Sequence, residues 1–213
     1  MENKQNNQVS PPARDDLSRA RDLASMLSVP KLVLASTSPR RAEILRTVGW
    51  PFEILPVQID ESRCANEDAA SYVRRLALAK AEAAASRSPT STVVGADTVV
   101  VIDNQILGKP RDEEDARHML RLLNSRWHQV LTGVAVNHAI SESKVAHETT
   151  EVKFAKMSDD EIGWYVSTGE PMDKAGAYAI QGLGARFIEG IKGDFFNVVG
   201  LPVRLLYELL NEN

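Results

Sequence analysis

The chain contains one cysteine, Cys64, in 213 residues. An internal disulfide framework and a cysteine-built zinc site are both excluded. No apolar run approaches the ~20 residues that a membrane-spanning helix needs. The N-terminal MENKQNNQVSPPARDD holds no apolar stretch of the kind a secretory leader carries, so a cytoplasmic location is expected. A large net charge is missing as well: 25 basic and 29 acidic side chains leave −4. Such a chain is a poor bulk binder of polyanions, and no basic stripe with interleaved aromatics appears. Nucleic-acid binding is not expected, and any phosphate must be held by a local cluster. There is no GxxxxGK[ST], no GxGxxG behind the first apolar run, no HExxH and no GxSxG. Gly182-Leu183-Gly184 comes late and is a weak phosphate-loop signal. His118, His128, His138 and His147 lack ligand-like spacing and read as surface or structural residues.

What is present is ordinary globular usage, with 43% hydrophobic and 25% charged residues. That content excludes a disordered chain and suffices for a real core. Residues 1–12 read as a flexible tail, and 13–28 as a short helix ended by Pro30. The folded body is expected over 31–213, after an N-terminal extension of 1–30. LVLAS (32–36) reads as a buried strand, and SPRRAEILRTVG as a helix with Ser38 at its N-cap, Pro39 at N1 and Gly49 at its end. FEILPV (52–57) is a second strand. Residues 67–86 form a helix burying Val73, Leu76, Ala77, Ala81 and Ala84. Residues 92–103 are strand-like but interrupted by Gly95-Ala96-Asp97, and Asp103-Asn104 turns the chain back through QILGKP. Residues 112–124 form a helix, and WHQVLTGVAV with VAHETTEVKFA suggests a long antiparallel pair. Ser158 and Glu161 form a capping box. FIEGIKGDFF reads as a hairpin, and LPVRLLYELL as a final helix. Strands and helices without strict alternation predict an α/β fold with a mixed sheet.

Five places have the residue types of a chemical site. The turn ASTSPRR joins a strand to a helix N-terminus, where free N–H groups, Ser36, Ser38, Arg40 and Arg41 make an anion site. An ordinary N-cap with two solvated arginines fits the local sequence equally well. Asp97 interrupts an apolar run, and a lone buried carboxylate costs several kcal/mol unless paired, metal-bound or hydrogen-bonded. That favours a functional Asp97 over one satisfied by backbone at a strand end. Asp60-Glu61 follows a strand, as acidic pairs commonly do. Brought beside Asp97, the pair has the chemistry to hold Mg2+, which takes a few carboxylates with water and phosphate oxygens. Lys80 falls near the apolar stripe of its helix, where lysine commonly snorkels, and Lys109 lies in a GKP turn. Asp173, Lys174, Tyr178 and Gln181 sit among small residues, and the Gln181 amide suits a nucleobase edge or a loop network.

LASTSPRRAEILRTVG, VVGADTVV, ILGKPRD, TGEPMDKAGAYAIQG and GDFFNVVGLP occur in that order. With these motifs the chain, from about Lys31 to its C-terminus, closely resembles the Maf-like nucleoside triphosphate pyrophosphatases. The resemblance implies an elongated mixed sheet flanked by helices, two lobes with a central cleft, and a fold similar to that of inosine triphosphate pyrophosphatases. It implies hydrolysis of a nucleoside triphosphate to the monophosphate and pyrophosphate with a divalent metal, Mg2+ or Mn2+. By the same resemblance Asp97 is the proton acceptor and Glu61 a metal-associated carboxylate. Arg40, Arg41, Lys80 and Lys109 fall where the family binds phosphate. Arg40, Thr98 and Gln181 match the branch acting on dTTP and UTP. Uracil and thymine both present two acceptors flanking one N–H, and one methyl gives only ~10-fold to 200-fold discrimination, so both are expected substrates. A homodimer is the expected assembly on general grounds. Two other readings stay open: a nucleotide-binding regulator of cell division without turnover, and a purine-directed pyrophosphatase.

Overall fold

The computed structural model describes residues 30–138 and 142–211. The tail and the helix expected over 13–28 lie outside the described residues. Six helices and seven strands are described. In chain order they are β1 (Leu32–Leu34), α1 (Pro39–Thr47), β2 (Phe52–Ile54), α2 (Ala69–Ala85), β3 (Thr92–Ile102), β4 (Gln105–Leu107) and α3 (Glu113–Leu123). There follow β5 (Trp127–Asn137), β6 (Lys144–Phe154), α4 (Asp159–Ser167), β7 (Ile188–Lys192), α5 (Phe195–Val199) and α6 (Val203–Asn211). The strands form one sheet in the order β2-β1-β3-β5-β6-β7, with β4 beside β3. β1 runs parallel to β2 and β3, and every other pair is antiparallel, as a mixed sheet predicts. Three eleven-residue strands, β3, β5 and β6, make its elongated spine.

Strand alternation sorts the side chains onto two faces. Val93, Val99, Leu131 and Ala135 pack against α2 through Val73, Ala77, Ala81 and Ala84, the residues expected to face inward. Val94, Val100, Val130 and Val134 face the larger core under α3, α4 and α6. α2 lies almost on the sheet itself. A Cβ added to Gly95 would sit 2.1 Å from the Ala77 carbonyl oxygen, and one added to Gly133 would sit 2.2 Å from that of Val73. The expected interruption of β3 is therefore corrected. β3 runs unbroken through Gly95-Ala96-Asp97, because Gly95 makes room for a helix rather than for a turn.

Beyond the β3 interruption, the second strand ends at Ile54 rather than Val57, and two other local signals fail while others hold. Asp68 caps α2 by accepting from the Ser71 N–H at 2.7 Å, and the Ser158–Glu161 capping box is complete. Asp103 and Asn104 take the left-handed conformation that a tight hairpin needs. Ser38 occupies the N-cap of α1 without a side-chain cap bond. Its own N–H instead donates to Ser36 Oγ at 3.1 Å. FIEGIKGDFF is no hairpin. β7 pairs with β6, Gly193 turns the chain, and Asp194 Oδ1 accepts from the Phe196 N–H at 2.7 Å, which starts α5 where a return strand was expected.

Candidate active site

Where β1 runs into α1, the chain borders a cleft of about 470 Å³. Its walls come from the 35–41 turn, Glu61, Tyr72 and Lys80 of α2, Asp97 and Thr98 of β3, Lys109 after β4, and Asp173. Ser36, Arg40, Arg41, Glu61, Lys80, Asp97, Thr98 and Lys109, all expected at a site, line this one cleft. Gln181 lies apart from it. It borders a smaller cavity of about 50 Å³ that shares Arg40 and Thr98 with the cleft. Asp60 also turns aside: its exposed carboxylate accepts from the Ser62 N–H at 2.8 Å, so Glu61 alone of that pair reaches the cleft.

Lys80 organises the acidic wall. Its Nζ is 2.7 Å from Asp97 Oδ1 and 2.7 Å from Glu61 Oε1. The Lys80 and Asp97 side chains are only 12% and 13% exposed, so this pair is largely withdrawn from water. The close seat of α2 on Gly95 brings Lys80 within reach of a strand side chain two residues further on. Partial burial works to raise the Glu61 pKa. Its hydrogen bond and charge contact with Lys80, with Lys109 and Arg41 behind, outweigh this and hold it below the ordinary value. Asp97 thus has the partner that a carboxylate in an apolar strand requires.

Arg41 is buried rather than solvated. Its Nε donates to the Gly200 carbonyl at 2.8 Å, one Nη to Ser36 Oγ at 3.2 Å and the other to Thr98 Oγ1 at 3.0 Å. Thr98 in turn pairs with Thr132 on β5 at 3.0 Å. Burial lowers the Arg41 pKa, and the Asp97 charge opposes that shift. Arg40 points the other way and donates to Asp173 Oδ2 at 2.8 Å. Asp173 also holds Lys174. Its burial would raise its pKa, but Lys174 and Arg40 together hold it at about 2.

Tyr72 and Asp173 are cleft walls that the sequence reading did not single out for that place. Tyr72 Oη donates to the Glu61 carbonyl at 2.8 Å and so fixes the loop that presents Glu61. The available signal was its spacing, since Tyr72 precedes Lys80 by eight residues and shares a helix side with it. Asp173 comes from a segment far away in sequence, and no local pattern ties it to Arg40.

Fold and site define a mixed α/β protein with a charged cleft beside its parallel strands, lined by Arg40, Arg41, Lys80 and Lys109 against Glu61, Asp97 and Asp173. The family model described as Maf-like protein matches residues 31–213, and the chain belongs to that family. It is 52% identical to the dTTP/UTP pyrophosphatase of Symbiobacterium thermophilum, covering 85% of this chain and 93% of that one. It is 49% identical to the dTTP/UTP pyrophosphatase of Koribacter versatilis, covering 84% and 92%. Among solved structures, the Ham1 protein of Staphylococcus aureus matches with a TM-score of 0.49 at 17% identity, over 84% of this chain and 97% of that one. Among the described residues, no helix is long and apolar enough to cross a membrane.

Proposed function

We propose that the protein hydrolyses dTTP and UTP to the monophosphate and pyrophosphate in this cleft. The observation that carries the reading is the shared lysine: Lys80 joins Asp97 and Glu61 at the wall of a cleft that also holds Arg40 and Lys109. The names of relatives at about half identity point the same way. A triphosphate brings several negative charges to a chain whose net charge is −4, so local cations must offset them. Arg40, Lys109 and the first turn of α1 line the space a polyphosphate would fill. Asp97 takes the proton of the water that attacks the α-phosphorus, and Lys80 keeps that carboxylate oriented. Arg41, with three of its N–H groups committed inside the protein, shapes the turn and adds its charge from behind. Pyrophosphate leaves as the bond between the α- and β-phosphates breaks.

The carboxylates suit a hard cation. Among the described residues no group of three or more His, Cys, Asp or Glu gathers to hold a metal alone. Glu61 and Asp97 supply two oxygen donors on one cleft, and Mg2+ ordinarily adds water and phosphate oxygens to so few. Bound there, Mg2+ or Mn2+ would neutralise phosphate charge and polarise the phosphorus. The smaller cavity, with Thr98, Gln181 and Arg40, suits the base, since the Gln181 amide matches the donor–acceptor edge of uracil and thymine. The substrates implied belong to the cytoplasm. A panel of purine and pyrimidine triphosphates, with pyrophosphate and phosphate detected separately, tests the reading. Pyrophosphate from dTTP and UTP is expected; release of phosphate alone, or a clear purine preference, contradicts it.

A further inference from the structure

Gly182-Leu183-Gly184, the weak phosphate-loop signal, already holds an anion from its own chain. The Glu170 carboxylate accepts from the Leu183 N–H at 2.9 Å through Oε2 and from the Gly184 N–H at 2.9 Å through Oε1. Tyr165 Oη donates to the same Oε1 at 2.8 Å and accepts from the Ala179 N–H at 3.1 Å. Both glycines make room for this clamp. A Cβ on Gly182, whose φ is +82°, would lie 2.5 Å from Glu170 Oε2, and one on Gly184 would lie 2.5 Å from Tyr165 Oη. Gln181 stands at the N-cap of the 3-10 turn that these two N–H groups open, and its own side chain makes no cap bond. Its amide is thereby left unused for capping, while Glu170 fixes the backbone on its C-terminal side and Tyr165 the backbone on its N-terminal side.

We propose that Glu170, with Tyr165, is a positioning residue that sets the Gln181 amide at the wall of the base cavity and so maintains pyrimidine preference. This rests on the base reading given under the proposed function. Glu170 lines neither cavity; besides the loop it meets Lys174, a wall of the smaller cavity, whose Nζ donates to the Glu170 carbonyl at 2.8 Å. Its partial burial works to raise its pKa, and the bonds from Leu183, Gly184 and Tyr165 outweigh that and hold it ionised as an acceptor. A glutamine in its place keeps the shape but must turn its NH2 group either toward the Leu183 N–H or toward the Gly184 N–H and the Tyr165 O–H.

The test is a double-mutant cycle of Glu170→Gln and Gln181→Ala, read as kcat and KM for dTTP, UTP and dGTP. Glu170→Gln is expected to raise KM for dTTP and UTP about 10-fold, to leave kcat within about twofold, and to spare dGTP. In the Gln181→Ala background it is expected to add nothing, because both changes remove one function. Losses that multiply, or a kcat that falls alike for every nucleotide, overturn the inference and leave the base reading intact. A Gln181→Ala enzyme with unaltered base preference overturns both. Should Glu170→Gln not fold, Tyr165→Phe enters the same cycle with the same expectation, and its independence from Gln181→Ala overturns the inference.

Discussion

Lys80 Nζ lies 2.7 Å from Asp97 Oδ1, across the seam where α2 rests on β3. The contact depends on a glycine two residues before Asp97. Because Gly95 has no side chain, the α2 backbone comes to within van der Waals distance of the strand, and the lysine reaches the carboxylate.

Gly95→Ala is expected to push α2 off the sheet, since the new methyl would fall 2.1 Å from the Ala77 carbonyl oxygen. Overpacking of this kind costs about 3 kcal/mol. Turnover is expected to fall with stability as Lys80 withdraws. Urea unfolding and steady-state kinetics on one preparation check this; unchanged stability would contradict the packing account.

Much of the fold was legible because its signals are local. The apolar spacing of α2, the Asp103-Asn104 turn and the Ser158–Glu161 box each lie within a few residues. The hairpin expected over 187–196 failed because β7 pairs with β6, a strand that ends more than thirty residues earlier, and Asp194 caps a helix turn. At the site, Asp97 was legible as a carboxylate in an apolar strand. Its partner was not, since Lys80 on its own reads as an ordinary flank lysine. The interruption expected at Gly95-Ala96-Asp97 failed for the same reason: whether a glycine breaks a strand or admits a helix onto it is decided by what packs there.

Arg41→Lys removes a planar fork that binds Gly200, Ser36 and Thr98 at once. A lysine cannot serve those three directions from one buried position, so a loss of about 2–4 kcal/mol is expected. Equilibrium unfolding measures it. Wild-type stability would mean that the fork is dispensable to the fold.

His128 sets a pH limit on stability. Its ring is buried, with Nε2 2.8 Å from Tyr178 Oη, and burial pushes its pKa down to about 4. In the unfolded chain the value returns to about 6.5, so acid protonates the unfolded form first. The contribution is full above about pH 6.5, is lost as pH falls, and levels near pH 4 after a loss of about 3 kcal/mol. His128→Gln is expected to flatten this limb in unfolding experiments between those values. Equal slopes in both proteins would contradict the assignment.

Chelation is expected to abolish turnover, and Mg2+ to restore it. Glu61→Gln is expected to raise the Mg2+ needed for half-maximal rate about 10-fold while Asp97 remains. A rate indifferent to chelator, or a Glu61→Gln enzyme with the wild-type Mg2+ requirement, contradicts the role given to this carboxylate.

The most direct measurement follows the oxygen of water during dTTP hydrolysis in 18O-enriched water, with wild-type enzyme and Asp97→Asn side by side. The label is expected in dTMP and not in pyrophosphate, with Asp97→Asn about 10²–10⁴-fold slower and still folded. Label in pyrophosphate, or an Asp97→Asn enzyme at full rate, would contradict attack at the α-phosphorus by water that this aspartate deprotonates.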